Sequence, residues 1–133
     1  MHPNVMIAGD FNSNPSDKTI REVLETVPWS DALKENAPET LFCNMMLNRK
    51  GGSYKYRTEW NWIDQVVVSG NLCKELNPLR LSSFDSVSAL SLSPMLTYDS
   101  MDGGKKPFRT YLGTYYVGGY SDHLPVVVRF DMR

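Results

Sequence analysis

The chain has 133 residues, 41% hydrophobic and 22% charged, with a formal net charge of -1. That composition suits one packed domain and excludes a disordered chain, and the near-neutral charge excludes a global pull toward nucleic acid or acidic membranes, so any basic site must be local. Two cysteines, Cys43 and Cys73, are too few for a disulfide framework or a cysteine zinc site and read as reduced, and no apolar run approaches the about 18 residues of a membrane span.

In chain order, Val5 to Ala8 is a short apolar run bounded by Gly9 and Asp10, as in a buried strand opening into a loop. Asn14 can cap a helix with Pro15 in its first turn, and Ile20, Val23, Leu24 and Val27 give it an apolar stripe ending near Pro28. Trp29 to Asn36 suggests a further helical turn, and Leu41 to Leu47 a strand before the Gly51-Gly52 turn. Ser53 to Thr58 reads as a strand with Tyr54 and Tyr56 on one face. Trp62 to Ser69, "WIDQVVVS", is another strand, closed by Gly70-Asn71. Leu76 to Phe84 suggests an extended piece, and the serine-rich stretch from Ser86 to Asp102 an irregular surface segment. Gly103-Gly104 opens a flexible basic loop, "GGKKPFRTY", and Pro125 to Phe130 reads as a buried valine-rich strand. With no repeats and no internal linker, residues 1–133 form one mixed α/β unit with a β-sheet and helices packed on it. The first residues carry no signal-peptide pattern, and the cellular location stays open.

Three aspartates share one kind of position. Asp10 follows a core strand, Asp64 lies near the start of one and Asp122 precedes one. Strand ends at one sheet edge are where α/β proteins gather their chemistry. Each alone reads as structure: a turn former, a buried ion-pair partner, part of a turn. Asp64 is harder to dismiss, because a carboxylate beside Val66, Val67 and Val68 needs a partner if buried. His123 is the nearest sensible candidate, since an Asp–His pair fixes the imidazole tautomer and favours its protonated form. Lys50, Lys55, Lys105, Lys106 and Arg109 are either phosphate contacts or solvated surface, with Arg109 the best placed to grip a phosphate bidentately. Tyr54, Tyr56, Trp60, Trp62, Tyr111, Tyr115, Tyr116 and Tyr120 can stack on bases, but packing is the expected role for most of them. Tyr120, beside the Ser121-Asp122-His123 triplet, is the exception.

"GDFN" at Gly9 to Asn12, "WIDQVVVS" at Trp62 to Ser69 and "SDHLPV" at Ser121 to Val126 stand in the order and spacing of the endonuclease/exonuclease/phosphatase superfamily. The resemblance runs from about Val5 to Phe130. It implies a DNase-I-like sandwich and divalent-metal-dependent phosphoester hydrolysis, with magnesium or manganese as cofactor. His123 then contacts the scissile phosphate, Asp64 orients His123, Asp10 activates the attacking water and Asn12 positions phosphate or water. Asp122 and Asp10 serve the metal, and Arg109 and Tyr120 are substrate contacts. The implied substrate is a phosphodiester, nucleic acid included. A lipid-headgroup or sugar-phosphate phosphatase and a non-catalytic assembly module are the alternatives. The family's early asparagine, its main metal-ligand glutamate and a further histidine or tyrosine have no counterpart here, so the resemblance covers only the C-terminal half of the fold. That expectation weakens metal binding and leaves a sheet face to be covered, by a second copy or by the other half.

Overall fold

A computed structural model of the protein describes residues 2–133. The chain opens with β1 (Met6–Asp10), a single π-type turn (Thr19–Val23), β2 (Thr26–Val27), the one-turn helix α1 (Trp29–Ala32) and β3 (Phe42–Asn44). Next come β4 (Tyr54–Tyr56), β5 (Glu59–Asn61), β6 (Asp64–Ser69), β7 (Leu79–Arg80), β8 (Val87–Ala89) and β9 (Leu96–Tyr98), with 3-10 turns at Gly70–Cys73, Phe84–Ser86 and Ser93–Met95. The chain ends with β10 (Lys105–Pro107), β11 (Tyr111–Leu112), β12 (Tyr115–Tyr116), β13 (Val126–Val128) and β14 (Asp131–Met132). The architecture is sheet-rich α+β with only short helical turns.

One four-stranded sheet, in the order β1-β6-β3-β2, organises the molecule. β6 lies inside it, and Gln65–Ser69 are all buried, which is why Val66, Val67 and Val68 follow one another without polar alternation. Side chains opposite one another share a face, so Val66 and Val68 lie with Cys43 of β3 and with Met6 and Ala8 of β1. Over this face sits the main core, where Val66, Val68, Cys43, Met45 and Met46 pack with Leu72, Leu81 and Val87. Val126, Val128 and Phe130 of the C-terminal segment pack against it. On the other face, the buried Gln65 accepts from Asn44 and donates to the Ser13 carbonyl, holding down the loop after β1.

Several expectations change. β1 is an edge strand, largely exposed, with Met6 47% accessible. The expected helix from Asn14 shrinks to one turn: Ile20 is buried, Val23 is exposed, and Glu25 at φ 50° breaks the turn. Thr26 and Val27 then pair in parallel with β3, so β-branched residues that looked like a helical stripe are drawn into the sheet. The stretch read as irregular holds β8 and β9, and the "flexible" basic loop holds β10, paired with β9. β13 is only half-buried, since Val127 faces out. Among the described residues no helix is long and apolar enough to cross a membrane. Both cysteines are free and buried. The neighbouring Cys73 thiol and burial push the Cys43 thiol up, which keeps it protonated.

Candidate active site

The β1–β6 register puts Asp10 directly opposite Asp64. Phe11 N–H donates to the Ile63 carbonyl and Ser69 N–H to the Val5 carbonyl, so the hydrogen-bonded rungs are at odd positions of β1. Asp10 and Asp64 therefore form a non-hydrogen-bonded pair, the kind whose side chains stand closest. Two like charges there are unfavourable unless a donor or a cation lies between them.

His123 supplies the donor. Its Nδ1 lies 2.7 Å from Asp64 Oδ2, and since a carboxylate only accepts, Nδ1 carries the proton. Nε2 is left facing Asp10 Oδ2 at 3.9 Å, beyond direct hydrogen-bond distance. The second Asp10 oxygen, Oδ1, accepts the Asn12 backbone N–H at 2.9 Å. Asn12 adopts φ 48°, a left-handed conformation that asparagine tolerates, and the resulting Asx turn fixes the rotation of the Asp10 carboxylate. The Asp64 and His123 side chains are largely buried and Asp10 is more open.

β4 and the residue before it complete the support. Ser53 is buried, and its hydroxyl donates to the same Asp64 Oδ2 that takes the imidazole proton. Tyr54 forms a β-bridge to His123 and its ring lies 5.0 Å from the imidazole. Leu124 N–H donates to the Ser53 carbonyl. Gly52 makes this possible, because a Cβ there would lie 2.3 Å from the Asn61 backbone nitrogen. Ser53 did not stand out in the sequence, and Tyr54 only as one of a set of aromatics expected mostly to pack. A serine and a tyrosine after a diglycine turn carry no chemical signature until the fold places them. From the other side, packing explains Gly119 before the Ser121-Asp122-His123 triplet, since a Cβ there would lie 2.1 Å from the Phe108 carbonyl oxygen, while Gly118 adopts φ 82°.

Of the expected residues, Asp10, Asp64 and His123 come together, with donor atoms all within 4.8 Å of one another. Asn12 joins them through its backbone. Asp122 is exposed and lies outside that group of three. Tyr120 is exposed, with its N–H on the Phe108 carbonyl. Arg109 is half-buried, and its Nε is shielded without a hydrogen-bond acceptor. Two basic candidates are engaged elsewhere: Lys55 and Lys106 each bind Asp99 at 3.0 Å. Lys55 first, then Lys106, hold the Asp99 carboxyl well below the usual carboxylate range. The aromatic expectation also changes, because Trp62 is core but Tyr56, Tyr111, Tyr115, Tyr116 and Tyr120 are exposed.

An apolar groove of about 610 Å³ leads away from this cluster, lined by Met6, Ala8, Val66, Pro125, Val126 and Val128. Asp64 and His123 close one part of it.

A carboxylate–imidazole pair facing a second carboxylate at a sheet edge can hold a water and move a proton. The chain belongs to the endonuclease/exonuclease/phosphatase family, whose model matches residues 1–132. No curated protein and no solved structure gives a match. Members of this family are generally hydrolases of phosphoesters and typically use divalent metals.

Proposed function

We propose that this domain is a divalent-metal-dependent phosphodiesterase of nuclease-like type. The observation that carries the reading is the Asp64–His123 pair with Nε2 held 3.9 Å from Asp10 Oδ2. A water between them can touch both, and a bound phosphodiester would set its attacking water against the base and its phosphoryl oxygen against the imidazole. In this reading Asp10 takes the proton of the attacking water. His123, oriented by Asp64 through Nδ1–H, donates from Nε2 as the imidazolium to the phosphoryl oxygen as negative charge develops. Asn12 sets the Asp10 carboxylate through its backbone, and its side chain at the rim positions phosphate or water.

The donor set suits a metal. Carboxylate oxygens fit magnesium or manganese, and Asp10, the more exposed carboxylate, would be the first ligand, with Asp122 a further candidate from the rim. Asp64 Oδ2 already accepts two protons, so it contributes through its other oxygen if at all. A bound divalent ion supplies positive charge for the phosphate and lowers the pKa of its water.

We also infer that the chain spans the half of the sandwich that carries the GDFN and SDH motifs. The exposed β1 edge and the apolar groove support this, since both are surfaces that a second sheet would cover. The same surfaces favour a second reading, a non-catalytic assembly module that retains the motif residues unused.

Hydrolysis of bis(p-nitrophenyl) phosphate with magnesium or manganese, by the parent and by His123→Ala, separates the two. Metal-dependent turnover lost in the variant supports the enzyme. Equal background rates together with a stable dimer in ultracentrifugation overturn it in favour of the module.

A further inference from the structure

Within Phe108–Tyr120, residues 111–118 build a hairpin that is exposed throughout. β11 and β12 are two residues each and pair only with one another, with Tyr111 opposite Tyr116 and Leu112 opposite Tyr115. Tyr111, Tyr115, Tyr116 and Tyr120 are between 56 and 77% exposed. Such short strands are not stable alone, and rings held out in solvent contribute no core. The hairpin is nevertheless firmly mounted. Val117 N–H donates to the Thr110 carbonyl, Gly119 N–H to that of Arg109, and Tyr120 N–H to that of Phe108. The same support continues into the site, because Ser121 Oγ accepts the His123 N–H. From Tyr120 to His123 the chain spans at most about 11 Å, a distance that one or two nucleotides cover.

We propose that this hairpin is the substrate-docking arm of the Asp64–His123 site, and that it stacks bases flanking the scissile phosphate of a short single-stranded phosphodiester, with Tyr120 the ring nearest the site in the chain. The inference rests on the phosphodiesterase reading and adds to it the substrate class. Tyrosine rings offer flat faces on which any base stacks. The Tyr111 and Tyr116 rings, 5.5 Å apart and edge-to-face, brace each other, so little freedom is lost when a base arrives. At the foot of the arm, Arg109 has no ion-pair partner among the described residues, and a guanidinium there suits a phosphate.

Two other occupants fit less well. A duplex is held by many phosphate contacts, whereas the chain carries a net charge of -1 and Lys55 and Lys106 are bound to Asp99. A bilayer would meet Gly113 and Thr114 at the tip, with Leu112 the single exposed aliphatic side chain on the two strands, beside hydroxylated rings.

The test uses the His123→Ala chain, so that nothing is cleaved, and follows anisotropy of a fluorescein-labelled short oligothymidylate. Tyr115→Ala and Tyr116→Ala are each expected to weaken binding about 5- to 150-fold. Tyr115→Phe, which keeps the ring, is expected to retain it, and unchanged thermal melts exclude unfolding. Oligonucleotide binding indifferent to the tyrosines overturns the proposal. So does tighter binding to the duplex of the same sequence, or a tyrosine-dependent signal seen only with phosphatidylcholine–phosphatidylglycerol vesicles. Tyrosine-dependent binding without hydrolysis of the small diester by the parent chain would keep the arm and refute the hydrolase reading. Hydrolysis with tyrosine-independent binding would do the reverse.

Discussion

Ser53 holds Asp64 from behind, and its removal tests whether the Asp64–His123 pair is held by a network or by chance proximity. The hydroxyl is fully buried and donates to the oxygen that also takes the imidazole proton. A hydrogen bond to a charged group contributes about 1.5–3 kcal/mol. Ser53→Ala removes that bond and little volume, and Asp64 keeps its bond to His123. With a urea slope of about 2 kcal/mol/M, the unfolding midpoint should fall by about 0.7–1.5 M. Ser53→Ala, Asp64→Ala and the double variant form a cycle whose coupling energy should approach the same 1.5–3 kcal/mol, roughly. If the bond also holds His123 in its reactive orientation, kcat on a small phosphodiester should drop by as much as about 10- to 150-fold, with KM little changed. A coupling energy below about 0.5 kcal/mol, the error expected of independent sites, would refute the reasoning.

Gly119→Ala should lower stability by about 1–3 kcal/mol, because its Cβ would meet the Phe108 carbonyl at 2.1 Å and the backbone must shift; a melting temperature equal to that of the parent would contradict this. Asp99 gives the acid limb of the stability profile. Its carboxyl is held below the ordinary value of 3.8, chiefly by Lys55 and then by Lys106, so its contribution is complete above that value and is lost as pH falls toward the depressed one. Asp99→Asn should therefore be less stable at neutral pH and lose less on acidification; urea midpoints with parallel slopes below pH 4, roughly, would argue against the assignment.

Much of the candidate site was legible in the sequence as a set of residues at strand ends, because residue type and strand position are local. Asp10 in GDFN, Asp64 at the head of "WIDQVVVS" and His123 before an apolar strand each sit at a strand end, and three such ends suffice to name the family. The run Val66 to Val68 of β6 marks the centre of the sheet for the same reason: apolar residues in succession, without polar alternation, suit a buried strand. The rest depended on partners far along the chain. Val23 and Val27 carry a helical spacing, yet pairing with β3 takes Thr26 and Val27 into the sheet, since periodicity says which residues prefer burial and not what buries them. Lys55 reads as a surface cation until Asp99, 44 positions later, neutralises it. Ser53 and Tyr54 become part of the site only when β4 is laid beside His123. Identity and strand position are properties of the sequence; which carboxylate faces which donor is settled by antiparallel register, a long-range pairing that local composition does not encode.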